Sequence, residues 1–334
     1  MSIRNQYQLI HIITFILLIL HAGYASAQQN PYVELSEWIQ SPPSRELGSV
    51  SGIYEDAQGN FWITERCGAN SCLDRDDVSP IHVYDPTGHW IKSLGDGMFV
   101  WPHGIYIDMD GYIWVTDARG DDQRGYQVFK FNSEGEVLMT LGEAGVSGDG
   151  PGHFSAPTDV LVAPSGDIFI SDGHEADANN RILKFSPEGN FIKSWGGSGS
   201  AAGEFSVAHD LDMDSQGRLF VADRDNNRIQ IFSQEGEFLE EWGQFGRPSG
   251  LYITDDDLIY VSDNLSTEEN NPGGQRGIRI GNARDGTITV FIPEPPLAPG
   301  KTGTTGPHGI YVNDLGEIFG SDVQAETVRK FIRR

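Results

Sequence analysis

The chain has 334 residues, with 48 acidic against 23 basic side chains and a formal net charge of −25. A surface of that sign repels nucleic acid and anionic lipid, and it obliges any carboxylate-bearing ligand to find local arginines. Only two cysteines are present, Cys67 and Cys72. They exclude a multi-disulfide framework and make a poor metal site by themselves.

Residues 1–27 read as a signal peptide. Arg4 sits in a polar lead, residues 9–20 are almost wholly apolar, and Ala25-Ser26-Ala27 is a small-x-small cleavage site. The apolar run is short for a membrane span, and no cysteine follows the cleavage site. The expected mature protein is residues 28–334, a single domain in the periplasm or medium, where Cys67 and Cys72 would close a small local loop. Losing Arg4 takes its charge to −26.

Six segments of the remainder align: SGIYEDAQGNFWITE (51–65), HGIYIDMDGYIWVTD (103–117), TDVLVAPSGDIFISD (158–172), HDLDMDSQGRLFVAD (209–223), SGLYITDDDLIYVSD (249–263) and HGIYVNDLGEIFGSD (308–322). Each alternates apolar and polar residues around a tight turn, as paired antiparallel strands do. One slot is always aromatic (Trp62, Trp114, Phe169, Phe220, Tyr260, Phe319), which predicts core between packed sheets. Two more strand-like runs follow each pair, as in RILKFSPEGNFIKSWG (181–196). Four antiparallel strands per repeat, at a period of roughly 40–60 residues, predict an all-β, six-bladed β-propeller. The last repeat has one outer strand, so the YVELSEWI run (32–39) is expected to supply the missing one and close the ring.

Call the strands of a blade a to d, from the axis outward. The a–b and c–d connections are uniformly short, whereas the b–c and d–a connections vary and lengthen. In an up-and-down blade the two kinds open on opposite faces, so the variable loops share one face, where ligand sites usually lie. His103, His209 and His308 open strand a in repeats 2, 4 and 6, about 120° apart in a six-bladed ring. Three inward imidazoles make a metal site with an open coordination position, and zinc is the first expectation. The alternating repeats carry Ser51, Thr158 and Ser249, small residues that leave room. Arg66 and Arg224 directly follow strand b on the same face and suit a substrate carboxylate, although Asp225 offers Arg224 a salt bridge instead. His174 is a candidate general base. His82, His89 and His153 fall outside the slot and are expected at the surface.

At these residues the chain resembles a family. The Asn-x-Arg-Ile and Asn-Arg-Ile strand ends (226–229, 180–182) look like the NHL repeat. PHGI…DGYIWVTD, FSAPTDV, FSVAHDL, VADRDNNRIQIF and PHGIYV together resemble peptidyl-α-hydroxyglycine α-amidating lyase. The resemblance implies a six-bladed propeller whose catalytic zinc is held by residues matching His103, His209 and His308. It implies substrate arginines matching Arg66 and Arg224, a structural calcium near the axis, and release of a peptide amide and glyoxylate from a peptide ending in α-hydroxyglycine. Two positions depart from the pattern. His174 stands in place of the family's catalytic tyrosine, and Gly309 stands where a carboxylate follows the third histidine. The expected function is thus a secreted, zinc-dependent carbon–nitrogen lyase. Its partner is a small-molecule or peptide substrate bearing a carboxylate, with no nucleic acid, no stable membrane insertion and a monomeric chain. A metal-dependent lactonase or esterase on the same scaffold, and a non-catalytic NHL-repeat binding protein, are the alternatives.

Overall fold

A computed structural model describes residues 30–35, 37–43, 45–175, 177–296 and 303–334. The proposed signal peptide lies outside the described residues. Six four-stranded antiparallel sheets make a β-propeller, and the one helical element among the described residues is a single 3-10 turn, Arg224–Asn226. Blade 2 shows the pattern, with strands Pro102–Ile107, Ile113–Gly120, Gly125–Phe131 and Val137–Leu141. Blade 6 takes three strands from the end of the chain and its outermost strand, Tyr32–Leu35, from the beginning, paired antiparallel to Thr327–Arg333. This is the closure the sequence predicts, with a shorter N-terminal strand.

The core follows from the aromatic slot. Trp62, Trp114, Phe169, Phe220, Tyr260 and Phe319 are all buried. Each of six apolar clusters joins one blade to the next. Trp62 and Phe99 of blade 1, for example, pack with Ile105, Val115 and Phe131 of blade 2. Burying each large side chain is worth about 2–3 kcal/mol, so the adhesion between blades is built into the repeat. The buried indoles of Trp62 and Trp114 donate to Asp56 and Asp108. The same two aspartates accept backbone amides within the a–b turn, and Gly111 takes the left-handed position there at φ 81°. That chemistry keeps the a–b turns short.

A buried acid ends every strand b: Glu65, Asp117, Asp172, Asp223, Asp263 and Asp322, each wholly inaccessible. It accepts amides from the adjoining loops and, in five blades, an arginine: Arg45, Arg181, Arg228, Arg279 and Arg329 in blades 1, 3, 4, 5 and 6. In blade 2 Gln127 lies opposite Asp117, and among the described residues Asp117 has no ion pair. Burial pushes its carboxyl up to about 7, against the pull of the Val100 and Trp101 amides. An unfolded aspartate titrates near ~3.9. Below that value both states hold the proton; between about pH 4 and 7 only the folded state does, so this group's contribution to stability is lost as pH rises through that window. Gln127→Arg is expected to restore the partner seen in blades 3 and 4. It should add about 1–3 kcal/mol at pH 8 and far less at pH 4. Thermal melts at the two pH values check this, and an equal shift at both would refute the charge account.

Candidate metal centre

Strand a opens with a break in pairing in blades 1 to 4. In blades 2 and 4 the a–b register shifts between Pro102 and Ile105 and between Ala208 and Leu211, the segments that hold His103 and His209. The same shift falls at Ser51 and Thr158, so it belongs to the start of strand a rather than to the histidine alone. The three histidines come from alternate blades and meet: their ring centroids are 4.8–4.9 Å apart, and one ring nitrogen from each lies within 4.8 Å of the others.

The next blade sets each ring's orientation. His103 Nδ1 donates to the Thr158 carbonyl at 2.7 Å, His209 Nδ1 to the Ser249 carbonyl at 2.6 Å, and His308 Nδ1 to the Ser51 carbonyl at 2.9 Å. A carbonyl can only accept, so Nδ1 carries the proton and Nε2 keeps its lone pair. The Nε2 atoms of His103 and His209 are buried with no hydrogen-bond partner. Burial, reinforced by neighbouring His174, Arg66 and Arg224, holds all three imidazoles well below their ordinary pKa and thus neutral. Unprotonated, anchored imidazoles with orphaned lone pairs are what a divalent transition metal requires. Among the described residues they are the one group of three such side chains close enough to share an ion.

Ser51, Thr158 and Ser249 thus leave room, as expected, but also act through their carbonyls. The Thr158 carbonyl accepts Thr116 Oγ1 as well, and the Ser51 carbonyl accepts Ser321 Oγ. The hydroxyls stitch neighbouring blades at the level of the histidines.

His174 lies on the same group, 4.9 Å from His103 and 5.5 Å from His209 between ring centroids. Burial, with Arg224 and Arg66 nearby, depresses it to about 4, against the pull of Glu175. The Glu175 carboxylate is 3.4 Å from His174 Nδ1 and also accepts Arg119. Arg66 is buried, and its guanidinium carbon lies 3.4 Å from the centre of the Trp101 ring. That ring in turn stacks on His103 at 5.4 Å. Asn70 accepts from Arg66 Nη1 at 2.6 Å and from Trp101 Nε1 at 2.9 Å. It lies inside the loop that the Cys67–Cys72 disulfide closes. Among the described residues Arg66 has no carboxylate partner, and its Nε is orphaned; burial lowers its pKa to about 9. Arg224 differs. It pairs with Asp225 at 3.3 Å, and Arg247 holds the same carboxylate at 2.5 Å, so the salt bridge anticipated from Asp225 is present.

Trp101, Arg119, Glu175 and Arg247 were not singled out from sequence. Two carried a signal: two residues before the histidine slot the repeats read Ser49, Trp101, Ala156, Val207, Arg247 and Gly306, so a large ring and a guanidinium stand among small residues. Arg119 lies at the end of the extended strand Ile113–Gly120 and Glu175 in the loop after Ile168–Asp172, both beyond the aligned part of the repeats. One expectation is corrected. His82 is not at the surface; it is buried, with Nδ1 2.6 Å from Ser93 Oγ and Nε2 3.2 Å from Glu65, because neighbouring blades cover both faces of the strand Ile81–Tyr84, all four residues of which are buried. His89 is exposed and His153 half-exposed.

A calcium site finds less support. Asp159 and Asp210 border a chamber of about 50 Å³ below the histidines. Their carboxyls hydrogen-bond to each other, and burial raises the pKa of both. Gly309 adds no side chain, and two carboxylates are fewer oxygen ligands than calcium takes.

These features define a six-bladed propeller with a histidine-lined axial mouth, and the NHL repeat family matches it at residues 205–232. Among known proteins, peptidyl-glycine alpha-amidating monooxygenase B of Xenopus laevis is 38% identical over 202 residues, which is 54% of this chain and 22% of that protein. A probable peptidyl-alpha-hydroxyglycine alpha-amidating lyase of Caenorhabditis elegans is 34% identical over 200 residues, 55% of each chain. The chain is therefore a sequence relative of the amidating lyases, although it matches about a fifth of the frog protein and about half of the worm one. Virginiamycin B lyase from Staphylococcus aureus, at 18% identity and a TM-score of 0.57 over 89% of this chain and 84% of that one, shares the fold. No helix among the described residues is long and apolar enough to cross a membrane, and the disulfide is consistent with an oxidising compartment.

Proposed function

We propose that this protein is a secreted, metal-dependent lyase that splits the carbon–nitrogen bond of an α-hydroxyglycine-type substrate into an amide and glyoxylate. The observation that carries the reading is the convergence of three neutral imidazoles beside a buried guanidinium with no carboxylate of its own. His103, His209 and His308 would hold the metal, with zinc the first expectation from the donor set. The chemistry supplied by a divalent ion at that position is acidification of the substrate hydroxyl.

The chain's own residues would do the rest. Arg66, braced by Trp101 and Asn70, receives the substrate carboxylate by a two-pronged hydrogen bond. Arg224 adds positive charge across the mouth, tempered by Asp225. His174, neutral and with Nδ1 turned to Glu175, presents Nε2 to the hydroxyl proton. As that proton leaves, the O–H electrons form the glyoxylate carbonyl, the C–N bond breaks, and the nitrogen departs with its electron pair and takes the proton back from His174. Nothing is oxidised overall. A lactonase reading is less well served, because such sites rely on oxygen donors to calcium, and the donors here are imidazoles.

Metal-loaded protein incubated with a hydroxyglycine-ended peptide is expected to release glyoxylate; none would remove the substrate assignment. Arg66→Lys keeps the charge and loses the fork. It is expected to raise KM about 10–100-fold, through about 1.5–3 kcal/mol of charged hydrogen bonding, with a smaller change in kcat. An unchanged KM would take the carboxylate away from Arg66.

A further inference from the structure

The opposite face of the ring has its own cavity. A funnel of about 610 Å³ opens among the short a–b turns of blades 2 to 5, within the range of small-molecule sites. Tyr54, Tyr106 and Tyr252 form its floor; Tyr54 and Tyr106 also border the small chamber beneath the histidines. Tyr54, Tyr106 and Asp212 thus stand between the funnel and the histidine-lined chamber and border both.

One slot of strand a builds that floor. It reads Tyr54, Tyr106, Leu161, Asp212, Tyr252 and Tyr311 around the ring. An aspartate stands where the other blades place an aromatic or aliphatic side chain, in blade 4, directly across the axis from Tyr54. Asp212 accepts the amides of Met213 at 2.7 Å and Ile253 at 2.5 Å, and among the described residues it has no cationic partner. Four aspartates line the funnel, and no lysine, arginine or histidine does. Two of the four are already neutralised, Asp108 by Lys130 and Asp214 by Arg218. Asp212 and Asp255 are not. Leu161, Val162 and Ile253 give the walls an apolar surface.

We propose that this funnel binds an organic ammonium ion, its charged head set against Asp212 and the tyrosine floor and its body against the apolar wall. Aromatic rings attract a desolvated cation through their faces, and a carboxylate beside them completes the recognition. A metal ion would meet too few oxygen ligands here, and an anion would meet only like charge. The half-buried Asp212 carboxyl, raised to about 8 by desolvation with Asp159 and Asp214 adding to it, is the group such a ligand would compensate.

The test is a titration of the full-length, metal-loaded protein at pH 9 with choline and with its neutral isostere 3,3-dimethylbutan-1-ol. Choline is expected to bind at least about tenfold tighter, the factor that a cation–π contact with a carboxylate supplies. In wild-type protein it should shift the ring resonances of Tyr54, Tyr106 and Tyr252. Asp212→Asn should erase the tenfold preference. Equal binding of the two probes, tyrosine rings that do not respond, or a preference that survives Asp212→Asn would overturn the proposal. The wild-type comparison stands even if the variant fails to fold.

Discussion

Replacing His209 by alanine is expected to strip the protein of its metal. Two imidazoles and water make a much weaker site than three anchored imidazoles. Even loss of an outer partner of a metal-bound histidine costs about 10–100-fold in affinity, so loss of the ligand itself should exceed that. The orphaned Nε2 of His209, now buried without a partner, is removed, and so is its Nδ1 anchor to Ser249. Elemental analysis of wild-type protein should give one metal per chain, and of His209→Ala less than a tenth as much. Stability gives a second reading. Saturating metal at about a thousand times Kd adds about 4 kcal/mol to a protein that binds it only when folded. Wild-type protein should melt higher with metal than after chelation, and His209→Ala should melt alike in both. His153→Ala, at a half-exposed position off the axis, is the control. A His209→Ala protein that kept its metal would end the metal-centre account.

The second large effect is expected away from the axis. Asp223→Ala should cost about 3–5 kcal/mol, the loss that follows when one partner of a buried ion pair is removed. Asp223 is wholly buried and binds the Ser206 amide at 2.7 Å, Asn226 at 2.9 Å, Arg228 Nε at 2.7 Å and Gln230 at 3.0 Å. Alanine leaves the Ser206 amide and Arg228 Nε without that acceptor, and Arg228 keeps only the exposed Glu241 as counter-charge. Asp223→Asn keeps the shape and one acceptor and should lose less. Denaturant unfolding measures both, and a cost under about 1 kcal/mol for the alanine variant would mean the latch is ornamental. The acid also ties the loop before His209 to the turn that carries Arg224, so the alanine variant should weaken metal binding in parallel with stability.

What the sequence made legible was what repetition exposes. Six copies of one pattern gave the blade count, the aromatic slot gave the core, and a histidine in every second copy placed three rings at one mouth. The terminal acid of each copy was visible too, but its role was not, because its partners lie in loops of unequal length. The tautomer of each histidine was out of reach for a related reason. It is set by a main-chain carbonyl of the next blade, and a carbonyl carries no side-chain signature. Trp101, Arg119 and Glu175 escaped because each occurs once. His82 shows the converse failure: an imidazole was placed outside by its distance from the motif, whereas a strand covered on both faces by neighbouring blades buries it beside Glu65.

The sixth blade joins the strand Tyr32–Leu35 to Thr327–Arg333, and His308 leans on the Ser51 carbonyl, 257 positions away in the chain. During synthesis, then, His103 and His209 exist before His308, whose ring is oriented only when blade 6 meets blade 1. Contacts of such long sequence separation form late. Under the proposed function, metal uptake would then follow the joining of blade 6 to blade 1, and occupancy would report that the ring has closed.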